Sequence, residues 1–251
     1  MKPSPKSIHG PEVEFYLTRS DDLQKADLAA IEAAYARRED RGLYTAFEPS
    51  YLLAAQERER HLLRLLARRG WSSFKDARVL EMGCGNGTWL RQFIQWGARP
   101  EDIWGVDLLP GRIAEAARLC PPEVILKCGD ARHVEVPDGS FDLVLQSTVF
   151  TSVLDTAMRV RLAREMLRVL ARKGLIVWYD FHVNNPGNPD VRGVDKAEIK
   201  NLFPGCHIFL KKLTLAPPLG RRVAPVSVSL YRALSCIKPL CTHYLGIISK
   251  P

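Results

Sequence analysis

The middle of the chain alternates short apolar runs with segments of helical periodicity, and this alternation restricts the folds open to it. The apolar runs are ARVLEM, DIWGVD, VILKCGD, FDLVLQS and LIVWYDF, at residues 77–82, 102–107, 124–130, 141–147 and 175–181. Helical segments are predicted between them at 88–96, 111–120 and 156–171. Strands that are apolar on both faces and alternate with helices form parallel sheets covered on both sides. The sequence therefore predicts a doubly wound α/β fold that binds its ligand where the strands end.

Composition limits the class of protein. With 251 residues and 46% hydrophobic residues, the chain can form one domain, or one domain with an extra lobe. The net charge of +8 is spread along predicted helices with acids between the bases, as in QERERHLLRLLARRG, so solvated helix faces are favoured over a nucleic-acid footprint. The six cysteines show neither CxxC pairing nor zinc-ligand spacing, so we expect no metal and a reducing, cytoplasmic location.

The two ends of the chain differ from its middle. Residues 1–70 contain two predicted helices, at 21–38 and 50–69, and we interpret them as an N-terminal helical cap or lid on a core formed by residues 71–251. Near the C-terminus, HIFLKKLTLAP and THYLGIISK are predicted strands. The segment between them, a helical insertion at about 219–240, is interrupted by prolines and charges, so no transmembrane segment is expected.

The stretch VLEMGCGNGT, at residues 79–88, places three glycines directly after the first apolar run. A P-loop would need a Lys followed by Ser or Thr, and a dinucleotide-binding turn would need GxGxxG. The order here is GxGxG, and Thr88 stands where the third glycine of the dinucleotide motif would fall. Glu81 would repel a pyrophosphate, whereas it suits a cationic ligand. The turn therefore favours a ligand that carries positive charge and no phosphate.

S-adenosylmethionine has these properties, because it carries a sulfonium, an amino group and a carboxylate. Backbone N–H groups at the turn can bind its carboxylate, and Glu81 can attract its amino end. Asp107 ends the second run and can accept both ribose hydroxyls. Asp130 ends the third run and can accept from the adenine amino group, with Ala131 donating its backbone N–H to the ring.

The ordered set VLEMGCGNG, GVD, GDA and FDLVLQSTVF strongly resembles the class I S-adenosylmethionine-dependent methyltransferases, and the resemblance covers about residues 79–181. It implies a seven-stranded, mostly parallel sheet whose last strand is antiparallel. It also implies S-adenosyl-L-methionine as cofactor, S-adenosyl-L-homocysteine as product, and no metal. The expected cofactor contacts are Glu81, Gly83, Cys84, Gly85, Asn86, Gly87, Asp107, Leu108, Asp130, Ala131, Gln146 and Ser147.

The loops after the fourth and fifth strands bear on the methyl acceptor. QSTVFTS has neither the Pro-Pro motif of base N-methylating enzymes nor a Pro-Cys nucleophile, which disfavours both. WYDFHVNNPGNPDVRG concentrates polar groups, and we expect His182 as a general base and Tyr179 as a second catalytic group; a histidine that only hydrogen-bonds the loop is the alternative. The expected substrate or lid residues are Tyr44, Phe47, Asn184, Asn185 and Arg192, although the aromatics could instead dock the cap onto the sheet.

These features predict a methyltransferase that acts on an O or N atom of a small-molecule metabolite or biosynthetic intermediate by in-line displacement. The chain also resembles a bacterial subgroup of these enzymes with the same Asn/Pro loop and THYLG strand. An RNA or protein methyltransferase and a non-catalytic cofactor-binding scaffold remain as alternatives. Whether the protein is a monomer or a homodimer stays open.

Overall fold

A mixed β-sheet forms the centre of the protein in the computed structural model, which describes residues 14–15, 45–185 and 187–251. The strands are β1 (Glu14–Phe15), β2 (Val79–Met82), β3 (Ile103–Asp107), β4 (Ile125–Cys128), β5 (Phe141–Ser147), β6 (Leu170–Phe181), β7 (His207–Leu215) and β8 (Cys241–Ser249). Their order in the sheet is β1-β4-β3-β2-β5-β6-β8-β7.

The last strand runs against its neighbours. The pairs from β1 to β6 are parallel, whereas β8 is antiparallel to both β6 and β7 and lies between them. The prediction of a doubly wound, seven-stranded sheet with an inserted antiparallel strand is therefore confirmed. The two-residue β1 is an additional edge strand that the sequence pattern did not reveal, because two residues are too few to show a period.

Helices cover both faces of the sheet. They are α1 (Pro49–Ala67), α2 (Thr88–Gln95), α3 (Pro110–Leu119), α4 (Thr156–Val169), α5 (Lys196–Leu202), α6 (Pro217–Val223) and α7 (Val228–Ser235). The four helices predicted at 50–69, 88–96, 111–120 and 156–171 are confirmed to within two residues at each end. The short α5 was not predicted. The insertion divides into α6 and α7 around Pro225, as the proline predicts.

The two predicted lobes cannot both be compared with the structure. The predicted helix at 21–38 lies outside the described residues, so the cap of residues 1–70 stays a prediction. Its second helix, α1, packs against β7, β8 and α6. Within the part of the chain that the structure describes, no helix is both long enough and apolar enough to cross a bilayer.

The core consists of two apolar layers, one on each face of the sheet. Alternate residues of β6 enter different layers: Val177 packs with residues of α1, α2 and α3, and Trp178 packs with residues of α4 and α5. Both side chains are fully buried. The layers hold the strand ends in a fixed register, and those ends carry the candidate site.

Candidate active site

A cavity of about 650 Å³ opens at the ends of β2, β3, β5 and β6 and extends between α1 and the insertion. Its lining includes seven of the residues predicted from the sequence: Glu81, Gly83, Cys84, Gly85, Asn86, Asp107 and Ser147. It also includes Tyr179 and Asn185 of the predicted acceptor region. The structure thus brings residues of both predicted groups to one cavity.

The glycine turn forms the floor of the cavity. Gly83 and Gly85 have φ angles of 73° and 53°, in the left-handed region that favours glycine. A Cβ at Gly83 would lie 2.4 Å from Cγ2 of Val149, so only glycine fits there. A Cβ at Gly85 would meet nothing within 4 Å, which means that bare backbone faces the open cavity. A ligand can therefore approach the main chain closely at Gly85.

Two buried carboxyl groups lie beside this turn. Burial raises the pKa of Glu81 well above its ordinary value, and the neighbouring Asp107 raises it further. Oε2 of Glu81 is buried and has no hydrogen-bond partner among the described residues. Burial also raises the pKa of Asp107, although its carboxylate accepts hydrogen bonds from the backbone N–H groups of Gly85 (2.8 Å) and Leu109 (3.0 Å). A cationic ligand would relieve the cost of placing these two acids together.

Arg58, which sequence reasoning missed, provides the opposite charge. Its guanidinium carbon lies 4.7 Å from the ring centroid of Trp89 and 4.8 Å from that of Tyr179, and the side chain lines the cavity. Its Nε is buried without a partner in the described part of the chain. Arg58 lies in a run of charged residues on α1, where nothing in the sequence distinguishes it from its exposed neighbours.

The segment after β5 is held in a strained conformation. Thr148 has a φ angle of 59°, which is rare for a residue with a Cβ, and its backbone N–H donates to the carbonyl of Tyr179 at 2.8 Å. Ser147 and Thr148 both line the cavity. Gln146 is fully buried below them and accepts a hydrogen bond from the N–H of Val149 at 3.2 Å. Gln146 therefore supports the loop and is not among the described lining residues.

Buried polar groups fix the same segment from below. The carboxylate of Asp180 accepts hydrogen bonds from Oγ1 of Thr151 (2.6 Å) and from the backbone N–H of Phe181 (2.9 Å). Burial raises the pKa of Asp180 to about 7. Arg159, fully buried, donates to the carbonyls of Val153 and Arg192 and to Glu198. This network orients the loops that border the cavity.

The two histidines near the cavity have different surroundings. His182 donates from Nε2 to the carbonyl of Cys241 at 2.9 Å, stacks on Tyr244, and is not among the described residues that line the cavity. Burial lowers its pKa. His182 therefore matches the alternative stated above, a histidine that hydrogen-bonds the adjoining backbone, and its role as a base stays a prediction that its position does not support.

His243, on the neighbouring strand, does line the cavity. Its ring stacks on Tyr179 with centroids 4.8 Å apart and contacts Phe181 at 3.7 Å. Nδ1 pairs with Oγ1 of Thr242 at 3.0 Å, so Nε2 is the ring nitrogen left for the cavity. Burial lowers its pKa to about 3, which keeps the imidazole neutral. Only the β6–β8 register, which pairs Phe181 with His243, identifies this residue, and no local motif does.

The predicted adenine contacts lie outside the described lining. Asp130 accepts from the backbone N–H of Arg132 at 2.8 Å and from its Nε at 2.6 Å. Asp130, Ala131 and Leu108 are not among the described lining residues, and neither is Gly87, whose added Cβ would lie 2.7 Å from Sγ of Cys120. Gly87 is thus required by packing, and the adenine contacts stay predictions.

The predicted substrate and lid residues are dispersed. Tyr44 lies outside the described residues, and Phe47 is 95% exposed and does not line the cavity. Asn184 accepts from the N–H of Gly193, and Arg192 pairs with Glu198, so both hold the loop after β6. The cap side of the cavity is lined by other residues, namely Thr45, Glu48, Ser50, Tyr51, Ala54 and Ala55. Among the described residues there is no group of His, Cys, Asp and Glu that could hold a metal ion.

Comparison with known proteins identifies the domain. Residues 79–174 match a family model described as a methyltransferase domain. The PH0226 protein of Pyrococcus horikoshii OT3 is similar in structure (TM-score 0.57, 16% identity), with 84% of this chain and 96% of that chain covered. An S-adenosylmethionine dependent methyltransferase from Mesorhizobium loti is similar at a TM-score of 0.56 and 18% identity, covering 76% and 97%. A protein described as the [4+2]-cyclase SpnF is similar at 0.54 and 20%, covering 76% and 80%.

At such identities the solved structures show the fold alone, whereas the family match adds the class of protein. The match of residues 79–174 to a methyltransferase domain and the Rossmann-like fold shared with these structures agree with the sequence resemblance to class I methyltransferases. The matched family implies S-adenosylmethionine as the cofactor. The residues present fit such a group, because an unpartnered acid, a half-buried cation and open glycine backbone converge on one cavity.

Proposed function

We propose that the protein transfers a methyl group from S-adenosylmethionine to an O or N atom of a small-molecule metabolite or biosynthetic intermediate. The observation that carries this proposal is the buried, unpartnered Oε2 of Glu81 beside the open backbone of Gly85. A buried acid without a partner is costly, and a positively charged ligand offsets that cost.

Each end of the cofactor has a matching group on the chain. Glu81 would bind the amino group, and Arg58, which lies across the cavity wall, would bind the carboxylate. Asp107 keeps free lone pairs beyond its two backbone bonds and would accept the ribose hydroxyls. Asp130 and Ala131 remain the proposed adenine contacts. The bound group supplies an activated methyl on sulfur, and the chain supplies binding and orientation.

The remaining cavity suits a small acceptor. Beyond Arg58 its wall is formed by Tyr179, Thr214 and Tyr231, with a hydrogen bond of 2.9 Å between the Tyr179 hydroxyl and Oγ1 of Thr214. Tyr179 and Tyr231 are almost fully buried, so this end of the cavity excludes water. Alignment of the acceptor and exclusion of water are the main tasks of a methyltransferase, because its donor is already activated.

His243 is the group best placed to address the reacting atom of the acceptor. Its neutral Nε2 can accept a hydrogen bond from an O–H or N–H and orient the lone pair toward the methyl. As the new bond to the methyl forms and the bond to sulfur breaks, the acceptor atom gains positive charge, and its proton, now strongly acidic, passes through this nitrogen to water. We therefore assign the proton-accepting role to His243, with Tyr179 stacked on it.

Calorimetry with S-adenosylhomocysteine tests the cofactor site. Glu81→Gln removes the charge with little change of shape, and we expect the affinity to fall at least about ten-fold. The matched control is Glu123→Gln, at an exposed acid that does not line the cavity. Wild-type affinity in Glu81→Gln, or no binding to the wild-type protein, contradicts the proposal.

Transfer of a labelled methyl group tests the acceptor class. The protein is incubated with labelled cofactor and with separated small-molecule, RNA and protein fractions of a cell extract. We expect the label in the small-molecule fraction. Label in RNA or in protein would establish the first alternative, and cofactor binding without transfer to any fraction would establish the scaffold.

A further inference from the structure

The insertion between β7 and β8 has a charge balance unlike that of the rest of the chain. Residues 217–240 contain four basic residues and no acidic residue. The four are Arg221, Arg222, Arg232 and Lys238. The structure shows ion pairs for many other arginines of the described chain, but for none of these four. Arg221 lines the cavity and acts on Glu48, and Lys238 acts on Glu57, so Arg222 and Arg232 carry most of the charge that is left for an external partner.

Exposed apolar side chains lie among these bases. Val226 is 82% exposed, and Leu230 and Ile237 are each 48% exposed. Leu230 lies on the exposed side of α7, and Val226 and Ile237 lie in the turns that flank this helix. Tyr231 and Ser235, on the other side, are buried. We call the exposed set Arg222, Val226, Leu230, Arg232, Ile237 and Lys238 the insertion face.

The positive charge continues beyond the insertion face. Burial and the nearby charge of Lys238 lower the pKa of Lys211, and both lysines act on His61 together with arginines of α1. The pKa of His61 is lowered to about 4, first by burial and then by these cations. Such mutual effects require the cations to lie close together. The insertion thus borders a wider basic surface on β7 and α1.

We propose that the insertion face docks onto an anionic lipid membrane surface. Apolar side chains among lysines and arginines are the features that place an amphipathic helix in the interfacial layer of a bilayer. The cations attract anionic headgroups, and the three apolar side chains enter the layer beneath. The proposal concerns attachment to a surface and not a spanning segment.

Two other occupants fit less well. A nucleic acid would use exposed aromatic rings for stacking beside the cations, but Tyr231, the one aromatic residue of the insertion, is buried. A second copy bound through the same face would bring two sets of four cations together with no acids in the insertion to offset them. An anionic lipid surface satisfies both the charge and the apolar side chains.

Sedimentation of the full chain with lipid vesicles tests this proposal. We expect binding to vesicles of phosphatidylcholine mixed with phosphatidylglycerol, loss of binding at high salt, and little binding to phosphatidylcholine alone. Val226→Glu with Leu230→Glu should weaken binding more than about ten-fold. Arg222→Gln with Arg232→Gln should weaken it about five-fold for each charge removed.

The matched controls lie on α3, at the other half of the sheet. Leu119→Glu changes an apolar residue that is 38% exposed, and Arg118→Gln removes an exposed charge. Both should bind vesicles as the wild-type protein does. Affinity for S-adenosylhomocysteine and the thermal unfolding midpoint should be unchanged in all four proteins, which shows that they are folded.

Several outcomes would overturn the docking proposal. The first is equal binding to neutral and anionic vesicles, and the second is the same loss of binding in the α3 controls as in the insertion variants. The third is an absence of vesicle binding together with RNA binding that Arg222→Gln with Arg232→Gln abolishes. Self-association that Val226→Glu abolishes in the absence of lipid would identify a second copy instead. Vesicle binding is measured without cofactor, so its failure is distinct from failure of the proposed methyl transfer.

Discussion

The two halves of the cavity are built in different ways. The cofactor half comprises the turn after β2 and the ends of β3 and β5, and its key groups, Glu81, Gly85 and Asp107, lie within one short stretch of sequence. The acceptor half comprises α1, the ends of β6 and β8, and the insertion. Its key groups, Tyr179, Thr214 and His243, come from distant parts of the chain, and Arg58 lies at the border with the cofactor half.

This difference decides what each half depends on. The cofactor half relies on backbone geometry and sheet register, since Gly83 and Cys84 both donate to the carbonyl of Val106 on the neighbouring strand. The acceptor half relies on side-chain contacts between elements, such as the stacking of His243 on Tyr179. Substitutions in the cofactor half should therefore change cofactor affinity, whereas those in the acceptor half should change turnover or stability.

The largest effect is expected from Arg159→Ala, which removes the support of the loops beside the acceptor half. The guanidinium is fully buried and bonds two carbonyls and Glu198, so its loss leaves buried acceptors unpaired. We expect the free energy of unfolding to fall by about 3 kcal/mol in chemical denaturation. Arg161→Ala, at an exposed position of the same helix, should change it by less than about 0.5 kcal/mol. Similar values for both variants would show that the network carries no stability.

The next effect is expected from His243→Gln, which should lower the rate of methyl transfer about 100-fold because the proton acceptor is lost. The rate is measured on the acceptor fraction identified by labelling. His182→Gln is the matched control and should retain most of the rate, because His182 bonds a backbone carbonyl. Affinity for S-adenosylhomocysteine should not change in either variant. A larger loss of rate in His182→Gln would return the role of base to that residue.

In the cofactor half, Asp107→Ala should weaken S-adenosylhomocysteine binding by about 1.5–3 kcal/mol, because the carboxylate is proposed to accept the ribose hydroxyls. The measurement is calorimetry, with Asp76→Ala at an exposed acid as the control. Loss of the bond from Gly85 contributes to the same effect. Unchanged affinity would remove Asp107 from the cofactor site.

The sequence predicted the cofactor half better than the acceptor half, and the reason is physical. Parallel strands end at one edge, so the residues at the ends of apolar runs must meet, and this argument brought Glu81 and Asp107 together. It could not find Arg58, whose role depends on how α1 docks against Trp89 and Tyr179. Nor could it find His243, because the position of β8 between β6 and β7 sets its neighbours.

The helices and strands were predicted closely where the hydrophobic pattern repeats over enough residues to reveal its period. The run FDLVLQS is the strand β5 without any change of bounds, and α4 begins at the predicted Thr156. The short α5 and the two-residue β1 were missed. Only seven residues are helical in α5. A helix of that length is stabilised by packing against other elements and not by its intrinsic helix propensity.

The smallest effect concerns the pH dependence of stability, to which His243 and the buried acids contribute with opposite signs. Burial lowers the pKa of His243 from 6.5 to about 3, so between these values the unfolded chain binds the extra proton and stability is lost as the pH falls. The pKa of Asp180 is raised from 3.8 to about 7, so its contribution is largest at low pH and is lost as the pH rises through about 7.

Replacing His243 should leave the opposing trend of the acids, together with the contributions of half-buried His61 and His182, which have the same sign as that of His243. We expect the free energy of unfolding of His243→Gln, relative to the wild-type protein, to rise by about 1–2 kcal/mol when the pH is lowered from 7 to about 5. Chemical denaturation at both pH values measures it, and Asp180→Asn should change the pH dependence in the opposite direction. The same dependence in His243→Gln and the wild-type protein would mean that His243 is accessible to protons, and the acceptor half would then be open to water, unlike the enclosed chamber that its buried rings form.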